Sequence, residues 1–514
     1  MQEQKYTFGL SSVTLVIILG ATAKFVLHMF TAPGYGFFSD ELYTIALSRH
    51  LAFGYVDLPP LVPVMVALSR ALLGESLFAL HIFPAFAGSV TLVFVCLITK
   101  EFGGRAFAAG LSALGFIVVP FWLAIDSIFC YDSVDQMVLA SFLYVLVRFL
   151  STGDRRLWIL LGLIAGIACM TKMTLLFLGP GFLIALLISK YHRDLLTPWP
   201  WLGALTYVVI VSPYLFWQAI NHWPTLEYWT SYGTQRVYQA TLLEYLTNLF
   251  MYMGVLLLPL WILGLYRIWR RLNGVDYSFL GVLFVSTFVL MFVLHTSTRM
   301  LAELFVPLLA ASAVFMEEMF TGLRWERWIK AGAAAYLVAV GVIVIPLSLP
   351  ILSMDATAKF ADTFKPLYRP VKEFNGVTFV HSPLLSGRLG WEELVREVGG
   401  VYDALPEAER TVTGIYTDWY MSAGAIDQLG PQYGLPHAVS GSLTYYLWGP
   451  GYSWDVMIIV SENPNTVALF FDECELKGTV QHQYDPPVGR PSISVCRSPK
   501  VSPDVFWPNM KSYR

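Results

Sequence analysis

Residues 36–63, GFFSDELYTIALSRHLAFGYVDLPPLVP, place an acidic pair, Asp40-Glu41, directly after the first long apolar run of the chain. Tyr55, Asp57 and a Pro59-Pro60 step follow before the next apolar run. Ionisable groups gathered at one face of a lipid-soluble chain mark a working site more often than a structural one. The chemistry is therefore expected in this loop.

The chain around it is built for lipid. Of 514 residues, 56% are hydrophobic and only 13% charged, with a mean hydropathy of +0.59; soluble domains carry about 25% charged residues. A net charge of −3 gives no basic footprint for nucleic acid. The five cysteines, Cys96, Cys130, Cys169, Cys474 and Cys496, show no metal-binding spacing, so no structural metal is expected. Apolar stretches dominate 1–350, whereas 351–514 has ordinary soluble composition, with 13 Lys+Arg against 18 Asp+Glu. Two domains are expected: a polytopic helical membrane domain over 1–350 and a soluble domain over 351–514.

Runs able to cross a ~30 Å hydrocarbon core fall near 10–31, 78–99, 106–124, 134–150, 157–172, 174–189, 200–218, 247–266, 278–295, 301–316 and 331–350. Eleven spans put the termini on opposite sides. With the N-terminus inside, thirteen Lys/Arg fall in inner loops and five in outer loops (Arg49, Arg70, Lys172, Arg236, Arg299). The positive-inside rule thus makes the N-terminus cytoplasmic and the C-terminal domain extracytoplasmic. Ala21-Thr22-Ala23 resembles a cleavage site, but the apolar run before it is too long for a signal peptide, and a retained helix is expected. An outward domain permits a Cys474–Cys496 disulfide; two free thiols are the alternative.

This topology gathers Asp40, Glu41, Asp57, Asp126, Asp132, Asp135, Lys172, Arg236 and Arg299 on the outer face. Each also has a plainer reading. Asp40 and Glu41 suit the first turn of a helix capped by Ser39, Asp57 suits a turn before prolines, and Asp126 reads as a solvated loop acid. Asp132 and Asp135 suit either a helix mouth or a site. Lys172 either snorkels to the interface or meets an anion, and Arg236 and Arg299 also suit interfacial anchors. The stretches 42–51 and 61–73 read as helices in the interface plane, with Pro59-Pro60 turning the chain between them.

Several segments resemble one family. SDELYTIALSRHLAFGYVDLPPLVPVMVAL (39–68) is similar to the Asp-Glu loop and Tyr-x-x-x-Pro-Pro-Leu step of the GT-C glycosyltransferases that use polyprenyl- or dolichyl-phosphate sugars. This family 39-like group includes protein O-mannosyltransferases and aminoarabinose transferases of lipid A. YDSVDQMVLASFLYVLVRFL (131–150), WILLGLIAGIACMTKMTLLFLGP (158–180), LFWQAINHWPTLEYW (215–229) and STRMLAELFVPLLAASAVFMEE (297–318) resemble later segments of bacterial members. TDWYMSAGAIDQLGPQYGLPHAVSGSLTYYLWGP (417–450) and VCRSPKVSPDVFWPNMKSYR (495–514) look like the C-terminal domain of one bacterial branch. Leu58 departs from the pattern, where relatives often carry His.

The resemblance implies a multi-pass enzyme of the bacterial inner (plasma) membrane that moves a sugar from a polyprenyl-phosphate donor to a lipid, polysaccharide or protein acceptor. Asp40 would be the general base, with Glu41 or Asp135 orienting it. Lys172, Arg236 and Arg299 are this chain's candidates for the donor phosphate, because the family's usual loop cations do not map cleanly. Tyr55, Asp57, Pro59, Pro60 and Asp132 would shape the first outer loop and the acceptor side.

Elementary chemistry agrees. Nucleotide sugars are absent outside the cytoplasm, so a transferase there needs a lipid-carried donor. A monophosphate leaving group can be stabilised by one or two cations, and no Asp-x-Asp motif occurs in the outer loops; a role for a divalent cation stays open. An acceptor hydroxyl needs a carboxylate to take its proton, and direct displacement with one such base inverts the anomeric carbon. A transporter or flippase of lipid-linked sugars is the alternative, although no internal repeat supports it. In the soluble domain, TVTGIYTD and WDVMIIVS read as buried strands and WEELVREV as a helix. Its dense aromatics are expected mainly to form a core, with the Tyr445–Trp454 loop the best acceptor-side candidate.

Overall fold

The computed structural model describes residues 11–235, 239–365, 372–374, 377–378, 383–482 and 489–513. Every expected apolar stretch is helical, in the order α1 (Ser12–Thr31), α2 (Ser39–Arg49), α3 (Leu61–Leu73), α4 (Leu77–Glu101), α5 (Ala106–Ile117), α6 (Pro120–Ile125), α7 (Tyr131–Thr152), α8 (Leu157–Thr171), α9 (Thr174–Ile188), α10 (Pro198–Ile220), α11 (Pro224–Gln235), α12 (Leu242–Met253), α13 (Leu258–Ile268), α14 (Ser278–Val293), α15 (Phe305–Phe320) and α16 (Glu326–Ser348). Among the described residues, six helices are long and apolar enough to cross a bilayer unaided: α1, α4, α7, α10, α15 with the 3₁₀ turn Thr298–Leu304 before it, and α16.

The remaining apolar stretches are shorter or bent, which corrects the picture of eleven continuous spans. The stretch 106–124 divides into α5 and α6 because Pro120 opens a new helix, where its missing N–H costs nothing. The stretch 247–266 turns by 90° between α12 and α13, and α9 turns by 98° into the 3₁₀ turn Lys190–Leu196. Short and broken segments at membrane depth are tolerated where protein covers their backbone.

The soluble domain follows α16. It comprises α17 (Met354–Thr363), the ribbon β1 (Lys372–Phe374) with β2 (Val377–Thr378), α18 (Pro383–Ser386), α19 (Trp391–Asp403), α20 (Glu407–Arg410), β3 (Thr413–Thr417), α21 (Tyr420–Leu429), β4 (Ala438–Ser440), β5 (Val456–Ser461), β6 (Phe471–Thr479) and β7 (Ser492–Pro499). The main sheet runs β4-β3-β5-β7-β6. β3 is parallel to both β4 and β5, whereas β7 is antiparallel to β5 and β6. β5 is buried throughout, as an apolar run in a central strand requires. Cys474 and Cys496 face each other across β6 and β7 and form a disulfide.

The two domains share a core. Leu42, Tyr43, Ala46 and Leu47 of α2 pack with Trp391, Leu394, Val395 and Ile426 of the soluble domain. Gly424 permits this approach, since a Cβ there would lie 2.8 Å from the backbone of Leu42. Arg49 donates to Asp427 O at 2.8 Å and Gln428 Oε1 at 2.6 Å. Helix α2 is therefore enclosed rather than spread on an open interface, whereas α3 exposes Val64, Leu68 and Leu72.

Candidate active site

The first turn of α2 sends its two acids in different directions. Ser39 is the first helical residue rather than the cap; Phe38 holds the cap position, and Glu41 reaches back to accept its N–H at 2.8 Å. Glu41 also accepts from His81 Nε2 at 2.8 Å and from Phe129 N at 2.6 Å. Burial alone would raise this carboxyl, but His81 and the nearby Arg388 hold it below the ordinary range. One oxygen thus closes the cap of α2, while the other ties the helix to α4 and to the turn before α7. In the structure Glu41 braces the first turn of α2.

Asp40 turns the other way. Its Oδ2 accepts from Tyr131 Oη at 3.3 Å. Burial pushes its carboxyl up to about 6, against the pull of Arg299 and with the push of Asp132. Asp57 lies close enough to feel Asp40; burial raises it to about 7 although Tyr43 Oη donates to it at 2.7 Å. The same tyrosine hydroxyl lies 2.9 Å from Thr444 Oγ1 of the soluble domain.

A cavity of about 430 Å³ opens beside these acids, with Asp57, Pro59, Tyr131, Lys172 and Arg299 in its wall. Lys172 occupies the break between α8 and α9, where the chain leaves the helix. It ion-pairs with Asp132 and lies 5.1 Å from the centre of the Tyr131 ring. Lys172 is thus not a lone snorkelling cation. Asp135, one helical turn after Asp132, is buried and accepts from Thr171 Oγ1 at 3.1 Å. Glu303 is buried nearby, repelled by Asp135 and attracted by Lys172.

Structure thus brings together Asp40, Asp57, Asp132, Asp135, Lys172 and Arg299. Tyr55 stands apart: its hydroxyl donates within the turn to Leu47 O and His50 O at 3.3 Å each, and it is fully buried. Pro60 serves as the residue before α3. Arg236 lies outside the described residues. Asp126, expected to be a solvated loop acid, is instead completely buried, 2.7 Å from Lys24 Nζ of α1. Gly88 of α4 makes room for it, because a Cβ there would meet the carboxylate at 2.3 Å. The Tyr445–Trp454 loop does not present those two rings: Tyr445 donates to Asp427 at 2.7 Å and Trp454 is fully buried.

Three residues beside these acids escaped the sequence reading. Tyr43 and Tyr131 gave no signal, since tyrosines at interfaces are common. Glu303 did give one, an acid within an apolar stretch. Among the described residues, no group of three His, Cys, Asp or Glu side chains could hold a metal ion. A second cavity, about 360 Å³ and almost wholly apolar, lies among α7, α8, α9 and α10. Helix α9 forms part of both walls, with Thr174 and Phe177 on the first cavity and Leu175 and Leu178 on the second.

Residues 57–217 match the profile of the dolichyl-phosphate-mannose-protein mannosyltransferase family. Lipid A galacturonosyltransferase RgtD of Rhizobium johnstonii is 25% identical over 234 residues, 43% of this chain and 47% of that protein, so the match spans about half of that curated relative. ArnT from Cupriavidus metallidurans has the same fold: its apo structure aligns with a TM-score of 0.58 at 13% identity, covering 94% of this chain and 98% of that one. The same protein bound to undecaprenyl phosphate aligns at 0.56 and 12%, covering 93% and 97%. Family match, relative and fold all agree with the GT-C resemblance drawn from the sequence.

Proposed function

We propose that this chain is a multi-pass inner-membrane glycosyltransferase. It moves a sugar from a polyprenyl-phosphate donor to an acceptor hydroxyl on the extracytoplasmic face, with its N-terminus cytoplasmic and its soluble domain outside. The observation that carries this reading is one cavity walled by carboxylate and cation together, Asp57 with Lys172 and Arg299, and with Asp40 one hydrogen bond behind Tyr131. The match to a polyprenyl-type family and the fold shared with a protein that binds undecaprenyl phosphate support a lipid-phosphate donor.

In this reading the donor phosphate lies against Lys172 and Arg299, and its polyprenyl chain follows α9 into the apolar cavity. The acceptor oxygen attacks the anomeric carbon, the bond from that carbon to the phosphate oxygen breaks, and the acceptor's proton passes to a carboxylate. Cations already in position stabilise the departing phosphate without reorganising. A single base and direct displacement give inversion. Asp40 is the proposed base, with its raised affinity for a proton suited to the task; Asp57, which lines the cavity itself, is the second reading.

The test is the purified chain in nanodiscs with a panel of polyprenyl-phosphate sugars and candidate acceptors, following free polyprenyl phosphate and glycosylated product. Stoichiometric release of both supports transfer. Movement of intact donor across proteoliposomes with no bond broken would establish a flippase instead.

A further inference from the structure

The soluble domain holds a polar cavity of about 380 Å³ that the proposed chemistry does not use. Its place follows from the sheet. β4 and β5 flank β3 and run parallel to it, so the chain leaves β3 for one side and returns on the other. In open α/β sheets, ligands settle in the crevice at the carboxyl ends of strands at such a point. Tyr416 near the end of β3, Asp418 just beyond it, and Asn463 and Thr466 beyond β5 line this cavity.

Its remaining wall comes from elsewhere in the chain. Helix α11 contributes Glu227 and Ser231, one helical turn apart, and the C-terminal segment contributes Lys511 and Tyr513. Lys511 donates to Glu227 at 2.6 Å and lies 4.5 Å from the centre of the Tyr513 ring. The neighbouring α11 residues Tyr228 and Trp229 line the membrane cavity instead. One helix therefore forms a wall of both sites.

The lining combines carboxylates, two amides, hydroxyls and tyrosine rings, groups that pair with the vicinal hydroxyls and the apolar face of a sugar ring. Asp418 and Glu227 outnumber Lys511, which disfavours anionic ligands by like-charge repulsion. We infer that this crevice holds a neutral or amine-bearing sugar ring of the acceptor while the receiving hydroxyl reaches the membrane cavity past α11. The inference rests on the glycosyltransferase reading for its use, and on the crevice alone for its binding.

Saturation-transfer NMR on the full chain in nanodiscs, with methyl glucoside, methyl glucosaminide and methyl glucuronide as probes, tests it. Transfer to the first two and not to the glucuronide is expected. Asn463 and Thr466 are exposed, so Asn463→Ala and Thr466→Trp leave the fold intact, which melting curves check. Thr466→Trp should abolish the signal, and Asn463→Ala should weaken affinity about tenfold, the loss of one or two hydrogen bonds. Leu469→Trp, on the exposed surface outside the crevice, should change nothing. Absence of transfer in the wild type, its survival in Thr466→Trp, or preference for the glucuronide overturns the inference. Failure of the wild type to cleave any polyprenyl-phosphate sugar defeats the parent reading instead and leaves the binding result standing.

Discussion

Tyr131 donates to Asp40 at 3.3 Å while its ring lies 5.1 Å from Lys172 Nζ. One side chain thus joins the acid of the first outer loop to the cation at the break between α8 and α9. The proposed proton acceptor and the proposed phosphate site are thereby held in one frame.

Asp40→Asn preserves size and the Tyr131 hydrogen bond but removes the proposed proton acceptor. Transfer should fall by ~10²–10⁴-fold while donor affinity holds. Single-turnover rates beside Asp57→Asn discriminate the two carboxylates. A collapse confined to Asp57→Asn would reassign the base.

The pH profile should carry an acid limb. Burial raises Asp40 to about 6 and Asp57 to about 7. Below its pKa a carboxyl is protonated and cannot accept a proton; above it the carboxylate is competent. With Asp40 as base, kcat/KM should therefore fall as pH drops through about 6, and the limb should vanish in Asp40→Asn. A limb near 7 that disappears in Asp57→Asn would identify Asp57.

Arg299→Ala should raise the donor KM by roughly tenfold, the scale of one charge-assisted hydrogen bond, with the acceptor KM unchanged. Arg299→Lys should recover part of the loss, since the charge returns without the planar fork. An unchanged donor KM in Arg299→Ala would remove this residue from the phosphate site.

Lys24→Met leaves Asp126 in a fully buried place with no opposing charge. Destabilisation of about 3–5 kcal/mol is expected, visible as a lower melting temperature in detergent. Lys24→Met with Asp126→Asn should recover most of it, because the uncompensated charge disappears. A double variant no more stable than the single one would show that the pair matters through packing rather than charge.

Much of the architecture was legible because hydropathy is local. A run such as 134–150 declares itself helical and lipid-compatible without reference to any other segment, and the short alternating or continuously apolar stretches TVTGIYTD and WDVMIIVS declare strands. Breaks were harder to read. Gly254 lies inside an apolar stretch whose average conceals the 90° bend between α12 and α13.

Sequence by itself determined that this chain is a membrane protein with a soluble C-terminal portion, and that acids and cations gather near the loop 36–63. Tertiary structure alone decided which of them meet. Glu41 follows Asp40 directly, yet a turn of about 100° along the helix hands it to His81 while Asp40 meets Tyr131. Asp126 looks like any loop acid until α1 brings Lys24 against it and Gly88 clears the space. Charge is written in the residue, but its partner, and therefore its role, depends on which distant segment packs beside it.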